Sequence, residues 1–102
     1  MNEVFYKSPL EEVFVTFDFG QDLATDELVN SATLTARSVR GLDSSPEDRL
    51  SGAVVVNSPN VQQLFVGGIL GELYEVSCLA QTDAGQTLEL RMIVPIRDPA
   101  DA

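Results

Sequence analysis

Apolar and polar residues alternate with a period of two through most of this chain. Val13, Val15, Phe17 and Phe19 fall on one side of an extended segment, and Glu12, Thr16 and Asp18 on the other, with Phe14 out of pattern. β-branched and aromatic side chains at that spacing predict a half-buried strand, ended by Gly20-Gln21-Asp22. In Asn30–Arg37, Ala32, Leu34 and Ala36 oppose Ser31, Thr33, Thr35 and Arg37, which predicts a second strand. Ala53–Val56 and Val61–Val66 predict two short strands, stopped by Asn57-Ser58-Pro59-Asn60 and by Gly67-Gly68. Tyr74, Val76, Cys78 and Ala80 share a face, as do Leu88, Leu90, Met92, Val94 and Ile96; the Thr82-Asp83-Ala84-Gly85 link between these strands reads as a hairpin. Pro95 lacks an N–H and marks a sheet edge or an exit from pairing. An N-terminal segment near Val4–Lys7 completes the set.

Between these segments no helical pattern of useful length occurs. Asp22–Val29 reads as a connection. Arg40–Ser51 looks the least ordered, with room for one helical turn at Ser45-Pro46-Glu47-Asp48, where Ser sits as N-cap and Pro at the first position. Short strands with regular turn signals predict an all-β sandwich or barrel. Gly71-Glu72-Leu73-Tyr74 narrows the choice. It sets a Tyr at the opening of the penultimate strand, where immunoglobulin-like sandwiches use a buried ring whose hydroxyl bonds back to the preceding corner. The expectation is an immunoglobulin-like antiparallel β-sandwich of about seven strands, with residues 1–102 forming one domain.

Composition then removes whole classes of function. Sixteen acids against six bases give a net charge of −10, and the acids are dispersed. Such a surface repels phosphate and anionic lipid, so neither nucleic acid nor membrane is an expected partner. The N-terminus has neither a basic start nor an apolar core segment, so no signal peptide is expected, and no apolar run is long enough for a membrane helix. There is no histidine, which removes the commonest general base and metal ligand. Cys78 is the only cysteine and alternates with core residues, so it reads as a small apolar side chain, without a disulfide or a cysteine zinc site.

Other candidate chemistry is thin. Asp18, Asp22, Asp26 and Glu27, or Asp43, Glu47 and Asp48, could gather oxygens for calcium, but no D-x-D-x-D-G spacing is present and they read as solvated surface. Gly67, Gly68 and Gly71 precede no Lys-Ser/Thr pair and read as turn formers needing positive φ, not as a phosphate loop. Arg37, Arg49 and Arg91 read as partners of surface acids. Phe14, and Ile93 on the last strand, lie on otherwise polar faces, where they either pack under a loop or mark an apolar contact surface. No catalytic, cofactor-binding or metal-binding residue is assigned, and binding residues stay unassigned.

Several local patterns together resemble a known family: the small tail-associated proteins of bacteriophages and prophages called phage fiber–tail adaptor proteins. The resemblance rests on Phe17-Asp18-Phe19, Leu23 and the acidic link into a Ser/Thr-rich strand, Asp26–Thr35. It continues through Gly67-Gly68, Gly71-Glu72-Leu73-Tyr74, Val76–Ala80, Asp83–Thr87 and Leu88–Arg97. The tryptophans common near the first two strands of such proteins are absent, and the Arg40–Ser51 loop is longer. The resemblance implies an immunoglobulin-like, non-catalytic virion component of the tail, fibre-attachment or neck region. Its partners would be other virion structural proteins, with homo-oligomers possible, and its location the virion or the host cytoplasm before assembly. The competing reading is an immunoglobulin-like adhesion or carbohydrate-binding domain, which the lack of tryptophan disfavours. A small enzyme lacks its catalytic constellation, and an inhibitor would need a rigid exposed loop.

Overall fold

The structure, a computed structural model, describes residues 2–99. Its elements are β1 (Asn2–Val4), β2 (Glu12–Asp18), β3 (Val29–Ser38), β4 (Leu50–Asn57), β5 (Asn60–Val66), β6 (Leu73–Thr82) and β7 (Thr87–Pro95), with a single 3₁₀ turn at Pro46–Arg49. The strands form a four-stranded sheet in the order β1-β7-β6-β3 and a three-stranded sheet in the order β2-β5-β4. Six strands pair antiparallel, while the short β1 runs parallel to β7. This parallel contact extends past β1: Phe5 N–H donates to Ile93 O at 2.8 Å and Lys7 N–H to Pro95 O at 3.1 Å.

With β2 as the second strand of an immunoglobulin-like order, the sheets are B-E-D and G-F-C, the Greek-key arrangement of that architecture. The inward sets of the two sheets meet as one core: Val15, Phe17 and Phe19 from β2 and its end, Val61 and Phe65 from β5, Leu34 and Ala36 from β3, Tyr74, Val76, Cys78 and Ala80 from β6, and Met92, Val94 and Ile96 from β7 and its end. The period-two reading therefore holds on both sheets.

Pro95 marks an exit, not an edge. It closes β7, which lies between β1 and β6, and its carbonyl still accepts from Lys7. The turn at Pro46–Arg49 forms as expected, but Ser45 makes no side-chain cap; its N–H donates instead to Asp43 Oδ1 at 2.9 Å. The Arg40–Ser51 loop, which composition alone leaves unstructured, is held by the buried carboxylate of Glu72 and the half-buried carboxylate of Asp43.

Candidate functional site

The most heavily bonded polar centre lies where the β3–β4 loop crosses the β5–β6 corner. Glu72 precedes β6 on the same parity as Tyr74 and Val76, so alternation turns it inward, and it is fully buried. Its carboxylate accepts from Arg40 N–H and Leu42 N–H, each at 2.8 Å, from Leu73 N–H at 2.7 Å, and from Ser38 Oγ–H. Burial alone would raise its pKa. The four donors outweigh burial and hold it at about 2. Arg40 returns a bond from its guanidinium to Gly71 O at 2.9 Å, so loop and corner are stitched in both directions.

Tyr74 forms the corner that the sequence anticipated. Its hydroxyl accepts from Ile69 N–H at 3.1 Å and donates to Asp43 Oδ2 at 2.7 Å, while its ring meets Phe65 edge-on at 5.4 Å. Burial and the bond to Asp43 push its pKa up to about 12. Asp43 takes a second donor from Ser45 and lies 3.8 Å from Arg49 Nε. Although burial works against ionisation, these neighbours hold its carboxyl below the usual range. Gly68 permits the corner with φ of 115°; a Cβ there would sit 2.7 Å from Ile96 Cδ1.

Two further ionisable groups are buried: Lys7, which the sequence pattern left unassigned, and Glu27, which it placed on the solvated surface. Lys7 sinks between β7 and the Gly67-Gly68 turn. Its ammonium donates to Ser8 O at 2.7 Å and to Gly67 O, and lies 5.6 Å from the centre of the Phe65 ring. Burial lowers its pKa. Glu27 is buried beside Thr82, whose hydroxyl donates to it, and it also accepts from Ala24 N–H at 2.8 Å. The signal for Glu72 and Thr82 was present, since each continues the inward parity of β6. Glu27 shares its parity with Val29 but not with Ala32, Leu34 and Ala36, because the β3 ladder shifts register between Val29 and Ser31.

The two carboxylate groups, read from the sequence as solvated surface, form no common site, and two of their members leave the surface: Glu27 is buried and Asp43 half-buried. Asp18 accepts from Gly20 N–H, while Glu27 and Asp43 serve separate structural bonds. Among the described residues no three metal-ligating side chains converge. Cys78 is fully buried, and burial pushes its thiol up to about 12. Arg37 pairs with Glu75 at 3.3 Å and Arg91 with Glu89 at 3.4 Å, both on the outer face of the four-stranded sheet; Arg49 pairs inside the corner instead.

Surface chemistry divides the molecule. No charged residue falls between Arg49 and Glu72, so β4 and β5 carry none. On the outer face of their sheet Phe14 stands opposite Leu64, and Thr16 opposite Gln62, which in turn faces Val55. Phe14 is 52% exposed and does not pack under a loop. It borders a cavity of about 260 Å³ shared with Val4, Phe5, Thr16 and Met92. Ile93 is half-buried. At the corner end, Val39, Leu42, Ile69 and Leu70 are all exposed.

Fold and site together define an immunoglobulin-like sandwich whose buried ionisable groups are engaged in tying strands to loops. A family model described as podophage GP4 fiber-tail adaptor protein gp77 matches residues 7–95, nearly the whole chain. The chain belongs to this family of phage fiber–tail adaptors, which are virion components that interact with other virion proteins. No curated protein matches it.

Proposed function

We propose that this chain is a non-catalytic assembly module of a phage or prophage virion, one sandwich domain that acts in the tail, fibre-attachment or neck region through protein–protein contacts. Its partners are other virion structural proteins, and before assembly it resides in the host cytoplasm. The observation that carries this reading is the family match over residues 7–95. The surface supports it, because a chain with 22% charged residues keeps one sheet face free of charge between Glu12 and Asp18. The inward ionisable groups support it too. Lys7, Glu27, Glu72 and Asp43 each complete a backbone or hydroxyl bond that the fold itself requires.

The test is mass spectrometry of purified particles from a host producing the phage. Peptides of this chain at a fixed ratio to the major tail proteins are expected. Their absence from infectious particles would reject the reading.

A further inference from the structure

The three-stranded sheet has an open place beside β2. In the constant-type immunoglobulin order a first strand lies next to the second, giving A-B-E-D. Here β1 joins β7 instead, and among the described residues no strand lies on the outer side of β2.

The backbone on that side is unpaired. Phe19 N–H bonds to Pro59 O at 3.0 Å, and the register runs without a shift from Glu12↔Val66 to Asp18↔Asn60. Hydrogen-bonded pairs alternate along an antiparallel ladder, so Val13, Val15 and Phe17 exchange bonds with β5. Glu12, Phe14, Thr16 and Asp18 therefore point their N–H and C=O groups away from β5, to the open edge.

Natural edges are usually blunted by bulges, prolines, charged side chains or short length. β2 has no bulge, proline or lysine over seven residues, and its charges, Glu12 and Asp18, stand only at its two ends. The other edges are guarded. β4 carries a bulge between Ser51 and Val55 with Gly52 at φ of 74°; β3 has an irregularity at Val29–Ser31 and packs beside the 3₁₀ turn; β1 spans three residues. Along the open β2 edge runs the uncharged cavity bounded by Val4, Phe5, Phe14, Thr16 and Met92.

We infer that the free edge of β2 accepts an extended strand donated by a partner protein, which completes the three-stranded sheet as a fourth strand. The inference rests on the virion reading above for the source of that strand. Its chemistry follows from the acceptor. The donated strand alternates, with an apolar side chain over Phe14 and a Lys or Arg near each end, across from Glu12 and Asp18. A second copy of this chain is the wrong occupant. The register that pairs all seven residues of two β2 strands sets Glu12 against Asp18 at both ends, on chains each carrying −10.

The test introduces Thr16→Pro and Thr16→Lys into the phage genome and measures the chain in purified particles by quantitative mass spectrometry. Proline removes an N–H that β5 does not use; lysine guards the edge with charge. Leu79→Lys, on the exposed face of the other sheet, is the control. Melting curves of the purified variants confirm folding, and Thr16→Lys carries the test if Thr16→Pro fails to fold. Both Thr16 variants are expected at about tenfold lower occupancy or less, with Leu79→Lys within about twofold of wild type. Wild-type occupancy of the Thr16 variants overturns the inference while leaving the virion reading intact. Equal loss of Leu79→Lys overturns the assignment to this edge. Light scattering that shows a wild-type dimer broken by Thr16→Lys makes the occupant a second copy and overturns the choice of partner. Absence of the wild-type chain from the particles removes the virion reading and this inference together.

Discussion

Glu72 does more for this fold than any surface ion pair. A carboxylate with four donors inside the protein replaces its water shell completely, whereas exposed pairs such as Arg91–Glu89 contribute about 0–1 kcal/mol. Glu72→Ala leaves the Arg40 and Leu42 N–H groups without their acceptor and is expected to cost about 2–4 kcal/mol, read by urea denaturation. Its pKa also sets an acid limit. The folded value of about 2 lies below the ordinary 4.5, so its stabilisation is complete above pH 4.5 and is lost as pH falls toward 2. Melting temperature against pH should therefore decline over that window in the wild type and be flatter in Glu72→Gln. Tyr74 acts in the opposite direction. Its pKa is raised to about 12, so its contribution is full below pH 10 and is lost as pH rises through 10 to 12. Tyr74→Phe removes the acceptor of Ile69 N–H and a donor to Asp43, for an expected loss of about 1–3 kcal/mol, with the alkaline decline of melting temperature reduced.

At the level of elements, the corner between β5 and β6 is the least tolerant of backbone change. Gly68→Ala would place a methyl group against Ile96 at a φ that side chains disfavour, and a loss of about 1–3 kcal/mol is expected by thermal denaturation. The strands themselves were legible from the sequence, because a half-buried strand must alternate. The Tyr74 corner was legible because Gly71 and the strand opening fix its place. The loop Val39–Arg49 was not: its order comes from Glu72, more than twenty residues further along the chain, and no local pattern in the loop encodes that distant acceptor. Lys7 was unreadable for the same reason, since its acceptor Gly67 O is brought to it by the sandwich and not by sequence. The open edge of β2 was hidden because alternation specifies which face of a strand is buried, never which strand lies beside it.

Across the whole molecule, charge is arranged by region. Acids dominate overall, yet the stretch between Arg49 and Glu72 is neutral, which gives one sheet a face that water holds less strongly than the other. A net charge of −10 on so small a chain produces self-repulsion that salt screens. Raising sodium chloride from about 20 to about 500 mM should therefore raise the melting temperature, the Debye length shrinking from roughly 20 Å to a few ångströms. An unchanged or lower melting temperature would show that the acids are already compensated by their local partners. The same repulsion opposes contact between copies, in keeping with the basic, apolar-centred strand inferred above as the occupant of the β2 edge. The central claim is that the chain is built into the virion as an assembly module. A cryo-electron microscopy reconstruction of the tail tests it most directly. The expected map contains copies of the two-sheet sandwich, fitted by residues 7–95 and in contact with other tail proteins. A map of the intact particle in which every ordered volume is filled by other chains would contradict it.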